Sequence, residues 1–287
     1  MGVLLDREEY IEQVYFFRHV RERLADNLAT QDVLDRIHEE ILSTTRLPMA
    51  IQFLATELRH SGLLASGFSR LPHYFTPFQA FVVRQAEDDR RRFSMDLALL
   101  VLEREAQYRA GKPTRPGLFV YQFETLSRNR LGYEEGLASM TEDPLYDEDW
   151  SVFLRWMSAQ AGVVDFADVL YARSELYVSE QRRLHESYTP PLPALFGEKE
   201  GKIAKANHGR DPLYLFAALQ RQLSYPEVPR LRPRDDLTSR MTTIQAKMRE
   251  MEIRVKLLES EARGQLDLNQ FLKNPDMLRG KDEDNTV

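Results

Sequence analysis

Glu57 and His60 lie three residues apart, so on a helix they share a face and can offer a carboxylate and an imidazole to one metal ion. Helical bundles with carboxylate-bridged metals use this Glu-x-x-His pattern on two helices, with one further Glu on each of the other two. Asp35 and His38 repeat the spacing with a shorter acid. With 6 histidines and 45 acidic residues in the chain, one full match is what chance supplies. His60 also sits just before Gly62, at an expected helix end, where the dipole alone favours a cationic imidazole. A helical-bundle metal-binding protein or enzyme using Glu57 and His60 is therefore the alternative reading, and no metal site is assigned.

The stretch "GEKEGKI", residues 197 to 203, fails as a phosphate-binding loop. That loop needs four residues between its first glycine and Gly-Lys, then Ser or Thr, all after a strand. Here three residues intervene, and Ile203 follows Lys202. A polar helix start with Lys199, Lys202 and Lys205 on one side is the plainer reading; with Arg210 they form a mildly basic surface, diluted by Glu198 and Glu200. There is no Gly-x-Ser-x-Gly elbow and no Gly-x-Gly-x-x-Gly. Acid pairs such as those in "DEDW" and "YEEG" suit helix starts as electrostatic caps. The chain has no cysteine, which excludes disulfides, thiolate metal sites and cysteine nucleophiles. No catalytic residue and no cofactor is assigned, and the protein is read as more a binder than an enzyme.

A formal charge of −6 makes the molecule a poor polyanion binder, so nucleic acid is not an expected partner. The run "EDDRRR" is read as a self-neutralised solvated stretch of helix, its acids three or four residues before its arginines. Acidic residues appear at Asp6 and Glu8 before a signal peptide could form, and Asp6 spoils a myristoylation motif at Gly2. The longest apolar run, "LALLVL" at 97 to 102, is far short of the roughly 20 residues that cross a bilayer. A cytoplasmic protein without a membrane partner is expected.

Helical periodicity dominates, and the fold class is all-α: a multi-helix bundle body followed by a C-terminal coiled-coil helix. A first helix over about 6 to 28 lines up Tyr10, Val14, Phe17, Leu24 and Leu28, and a second over about 31 to 45 lines up Val33, Leu34, Ile37 and Ile41. Pro48 opens a helix carrying Ile51, Leu54 and Leu58 that Gly62 stops. Thr76 and Pro77 start a helix that meets no breaker until Gly111, so one element about 50 Å long is expected. Further helices are expected near 118 to 130, 148 to 161, with Trp150, Phe153, Leu154 and Met157 as core, and 165 to 187, capped by Asp165 after Gly162. Asp211 and Pro212 begin another with Leu215, Phe216, Leu219 and Leu223. "DPLY" occurs at 143 to 146 and 211 to 214, but the flanks do not align, so no duplication is inferred.

The expected division is an N-terminal helical bundle over 1 to 110 and a second helical subdomain over 118 to 224, separated by "GKPTRPG". A proline-rich connector follows over 225 to 236, then a coiled coil over 237 to 264, then a short helix and a disordered acidic tail over 265 to 287. "PPLP" at 190 to 193 and "PEVP" at 226 to 229 are read as stiff connectors rather than recognition peptides.

With Leu237 at heptad position d, Met241, Met248, Val255 and Ala262 fall at a, and Ile244, Met251 and Leu258 at d. In a parallel pair the g-to-e partners would be Lys247 with Glu252 and Arg254 with Glu259, both of opposite sign. Ile253 and Leu257 fall at outer positions, and the methionines pack adaptably, so docking of this helix on its own body or on another protein's helix competes with self-pairing. The leading expectation is a non-catalytic scaffold or adaptor, a homodimer through Leu237, Met241, Ile244, Met248, Met251, Val255 and Leu258, with other protein partners unidentified.

Overall fold

The computed structural model describes residues 4–88, 90–160 and 164–230 and, further on, residues 247, 248, 251 and 255. The chain divides into two units, Met1–Leu231 and Arg232–Val287. In the first, the described residues form thirteen helices and no strand, so the all-α expectation holds.

The first half holds α1 (Arg7–Ala25), α2 (Thr30–Ile37), α3 (Leu47–Ser61), α4 (Leu64–Arg70), α5 (Pro77–Glu87) and α6 (Met95–Ala110). The second holds α7 (Arg115–Asn129), α8 (Tyr133–Met140), α9 (Glu148–Gln160), α10 (Phe166–Ala172), α11 (Glu175–Leu184), α12 (Glu198–Ala206) and α13 (Pro212–Leu223). The broadest helix pair is α1 against α6; α4 and α5 stack together, α8 lies against α9, and α10 to α13 pack around α12.

Helix starts follow local chemistry. Thr76 accepts the Gln79 N–H while Gln79 accepts the Thr76 N–H, a reciprocal capping box. Ser94, Thr114, Asp165, Ser174 and Asp211 each accept a backbone N–H of the helix they precede. Gly62 ends α3 at φ 72°, a left-handed conformation that costs glycine nothing.

Helix α7 is the axis of the body, since every residue from Gly117 to Leu126 is buried. Such a helix is covered on all sides. Phe119 at its centre meets the rings of Trp150, Phe153, Phe166 and Phe196 at 5.4 to 6.1 Å. Residues 111 to 114 are a short connection into α7, where the Tyr108 hydroxyl accepts the Thr114 N–H. A Cβ at Gly117 would collide with that hydroxyl. Buried residues before and after this connection, Tyr108 and Leu118 among them, belong to one core.

Three expected helices are shorter than their periodicity suggests. The element over 77 to 110 is two helices, because Asp88 turns the backbone to extended geometry and its carboxylate accepts the Arg90 N–H. Phe93 then enters the core, 2% exposed, and Ser94 starts α6. Arg90, Arg91 and Arg92 therefore lie in an exposed turn rather than on a helix face. The expected helix over 31 to 45 stops at Ile37, because the Glu12 and Glu9 carboxylates accept the N–H groups of Leu42 and Arg46 at 3.1 and 2.9 Å. The third, over 165 to 187, breaks at Ser174, where Glu175 N–H donates to Phe196 C=O and Phe196 N–H donates to Arg173 C=O.

Trp150, Phe153, Leu154 and Met157 are core residues as expected, each 3% exposed or less. Gly162 lies outside the described residues. The two copies of "DPLY" occupy unlike surroundings: Asp143 and Tyr146 are buried, whereas Asp211 caps α13 and Tyr214 is exposed.

Candidate interaction surface

Glu57 faces α4, where its carboxylate meets Arg70 Nη1 at 2.7 Å, while His60 is exposed at the end of α3. No third ligand joins this pair among the described residues. Both carboxylate oxygens of Asp35 accept from Arg59 Nη2 at 2.6 Å, and this guanidinium keeps its carboxyl below the ordinary value. The acids of both Glu/Asp-x-x-His pairs thus serve as partners for arginines that tie one helix to another.

The most deeply placed charges form a cluster where α1, α6, α7 and the turn after α8 meet. Arg109 binds Glu105, one turn before it, and Asp143, and all three side chains are at most 1% exposed. Gln122 Nε2 donates to Glu105 at 3.1 Å, and the Tyr146 hydroxyl donates to Gln122 Oε1 at 2.9 Å. Burial works against the Arg109 charge, but Asp143 and Glu105 outweigh it and hold the guanidinium well above its ordinary pKa. Burial pushes the Glu105 carboxyl up, with Arg109 pulling the other way. The cluster joins elements that the chain separates widely, and its members are engaged with one another.

The first residues of the proline-rich connector are strapped to the body. After Ser224, in the left-handed conformation at φ 54°, Tyr225 turns inward and donates its hydroxyl to Glu124 Oε2 at 2.7 Å. Burial and the adjacent Glu124 carboxylate raise the Tyr225 pKa, so this hydroxyl stays a donor. Asn129 Nδ2 donates to Pro229 C=O at 2.9 Å, Arg104 donates to Glu227 C=O, and Val228 is buried. The chain thus leaves the body at a fixed place. Nothing in the sequence spacing singled out Glu124, Asn129 or Arg104, and the connector was expected only to run extended and stiff; its one legible signal for docking was an aromatic and a valine among the prolines.

Of the expected interface, Met248, Met251 and Val255 are described: they are exposed to 59%, 61% and 52%. Residues 248, 251 and 255 are helical and three and four apart, so they share one face. Leu237, Met241, Ile244 and Leu258 lie outside the described residues. In the body, Val152 and Trp156 sit one turn apart on α9, 45% and 47% exposed. A groove of about 500 Å³ between α5 and α8 has the core rings Phe68, Phe75 and Phe81 in its lining, with the Arg84–Glu135 ion pair of 3.3 Å at its side. No described helix is long and apolar enough to cross a membrane.

Comparisons with protein families, with curated proteins and with solved structures found no match.

Proposed function

We propose that the protein is a non-catalytic scaffold or adaptor that self-associates as a parallel homodimer through its C-terminal heptad helix and offers helical surfaces of its body to protein partners. The observation that carries this reading is the a/d seam from Leu237 to Leu258, of which Met248, Met251 and Val255 stand exposed. A seam of that period is covered when a second helix inserts its own a and d side chains. Most of a helix's stability in a protein comes from packing its apolar face rather than from propensity, so pairing would also stabilise this one. Val152 and Trp156 support the second half of the proposal, because tryptophan is enriched among residues that dominate protein interfaces.

Mass measurement in solution tests it. The full chain is expected to be dimeric, and the double substitution Met248→Glu, Met251→Glu, which puts carboxylates into the seam, is expected to be monomeric with an unchanged helical body. A full chain that stays monomeric at high concentration overturns the proposal.

A further inference from the structure

Asp165, Asp168 and His208 meet on the surface of the second half, far in sequence from Glu57 and His60. Asp165 caps α10, Asp168 lies one turn further along it, and His208 reaches both from the turn after α12. One potential ligand atom from each side chain lies within 4.8 Å of the other two. His208 Nδ1 is 2.5 Å from Asp168 Oδ1. The Asp165 carboxylate accepts the Ala167 N–H at 2.9 Å and the Gly209 N–H at 3.3 Å, so it fixes the His208 turn against the start of α10. Gly209 takes φ 66°, which lets that turn close.

The acids of the body are held in two ways: some pair with arginine, while Glu12, Glu87 and Glu200 accept from backbone or amide N–H groups instead. Glu9, Glu57, Glu103, Glu105, Glu124 and Asp143 each have an arginine partner. Among the described residues, neither Asp165 nor Asp168 is paired with a lysine or arginine. Two carboxylates converge on one imidazole without a permanent cation between them.

We propose that Asp165, Asp168 and His208 form an open three-ligand site for a divalent transition-metal ion of the zinc class. An imidazole nitrogen with two carboxylate oxygens suits zinc and its neighbours, whereas magnesium and calcium favour all-oxygen shells. Zinc bonds to nitrogen and oxygen are about 2.0 to 2.2 Å, which places adjacent donors of a tetrahedral ion about 3.4 Å apart. The His208–Asp168 contact opens to that separation by a shift of roughly 1 Å, within reach of exposed side-chain rotamers. Asp165 needs no new anchoring, since two backbone N–H groups already orient it. The bound ion replaces the His208–Asp168 hydrogen bond, leaves its fourth position to water, and clips α10 to the turn between α12 and α13. The site is independent of self-association.

The test is calorimetric titration of the full chain, free of any histidine tag, with zinc chloride. A single zinc ion is expected to bind each chain. His208→Ala and Asp168→Asn are each expected to weaken binding at least about tenfold, since loss even of groups that only orient metal ligands costs that much. His60→Ala is expected to bind as the parent does, and magnesium chloride to give no comparable binding. Because His208 and Asp168 are exposed, both variants should keep the parent's melting temperature without metal. Zinc should raise that temperature in the parent and not in either variant. Absence of zinc binding, zinc binding that both variants retain, or magnesium binding of equal strength overturns the proposal.

Discussion

Arg109 is the residue whose removal should cost most, because its two partners have no route to water. Glu105 and Asp143 are fully buried, and the arginine between them is their shared counter-charge. Arg109→Met leaves two acids in a low-dielectric core and should cost about 3–5 kcal/mol, read as a lowered urea midpoint of the full chain. Breaking an exposed pair such as Lys202 with Glu198 should leave the midpoint nearly unchanged, because water and salt screen it, so the contrast isolates burial as the cause. Glu87 carries a pH effect of definite sign. Burial raises its carboxyl above the ordinary 4.5, and the N–H groups of Leu64 and Ala65 only partly offset this. The folded chain therefore holds that proton more tightly than the unfolded one. The contribution is fully present below the ordinary value and is lost as pH rises through the raised one. Relative to Glu87→Gln, which cannot titrate, the parent should lose stability as pH increases across the acidic range, measured by denaturant midpoints at several pH values. Arg109 was not visible in the sequence as special, and Glu87 was read there only as part of a solvated charge run. Arginine beside acids is common in this chain, and which acid meets which arginine is decided by pairings tens of residues apart.

Helix starts were legible because capping is local. Thr76 with Pro77, Asp165, and Asp211 with Pro212 announce helices without help from the rest of the fold. The breaks at Asp88 and Ser174 were not legible, since neither stretch holds the proline or glycine that marks a stop. Burial of Phe93 drives the first, and backbone pairing of Arg173 and Glu175 with Phe196 drives the second. The connector shows the same asymmetry: its prolines announce extended chain, while its docking depends on Glu124, Asn129 and Arg104 from other elements. Tyr225→Phe removes one hydroxyl bonded to Glu124 and to Phe216 C=O while keeping the ring in place. A hydrogen bond to a charged group contributes about 1.5–3 kcal/mol, so the strap should open more often. Faster cleavage after Arg230 in limited tryptic proteolysis of the full chain is the expected outcome, with the thermal melt of the body changed far less.

At the scale of the molecule, orientation of the seam separates the three ways it could be covered. A parallel, in-register pair sets each a position against its own counterpart, close enough for a disulfide. An antiparallel pair places an a residue opposite its own counterpart at no more than one level, and a helix covered by its own body does so at none. The chain has no cysteine, so any introduced thiol is unique. Met248→Cys and Val255→Cys, made separately, should each give a covalently linked dimer on mild oxidation at low protein concentration. Lys256→Cys, which falls at the outer position b, should not. Non-reducing electrophoresis reads all three. Linkage at one of the two core positions alone would favour antiparallel pairing, and linkage at neither would remove the homodimer on which the proposed scaffold depends. The two core variants are seven residues apart and share one face, so agreement between them fixes register as well as direction.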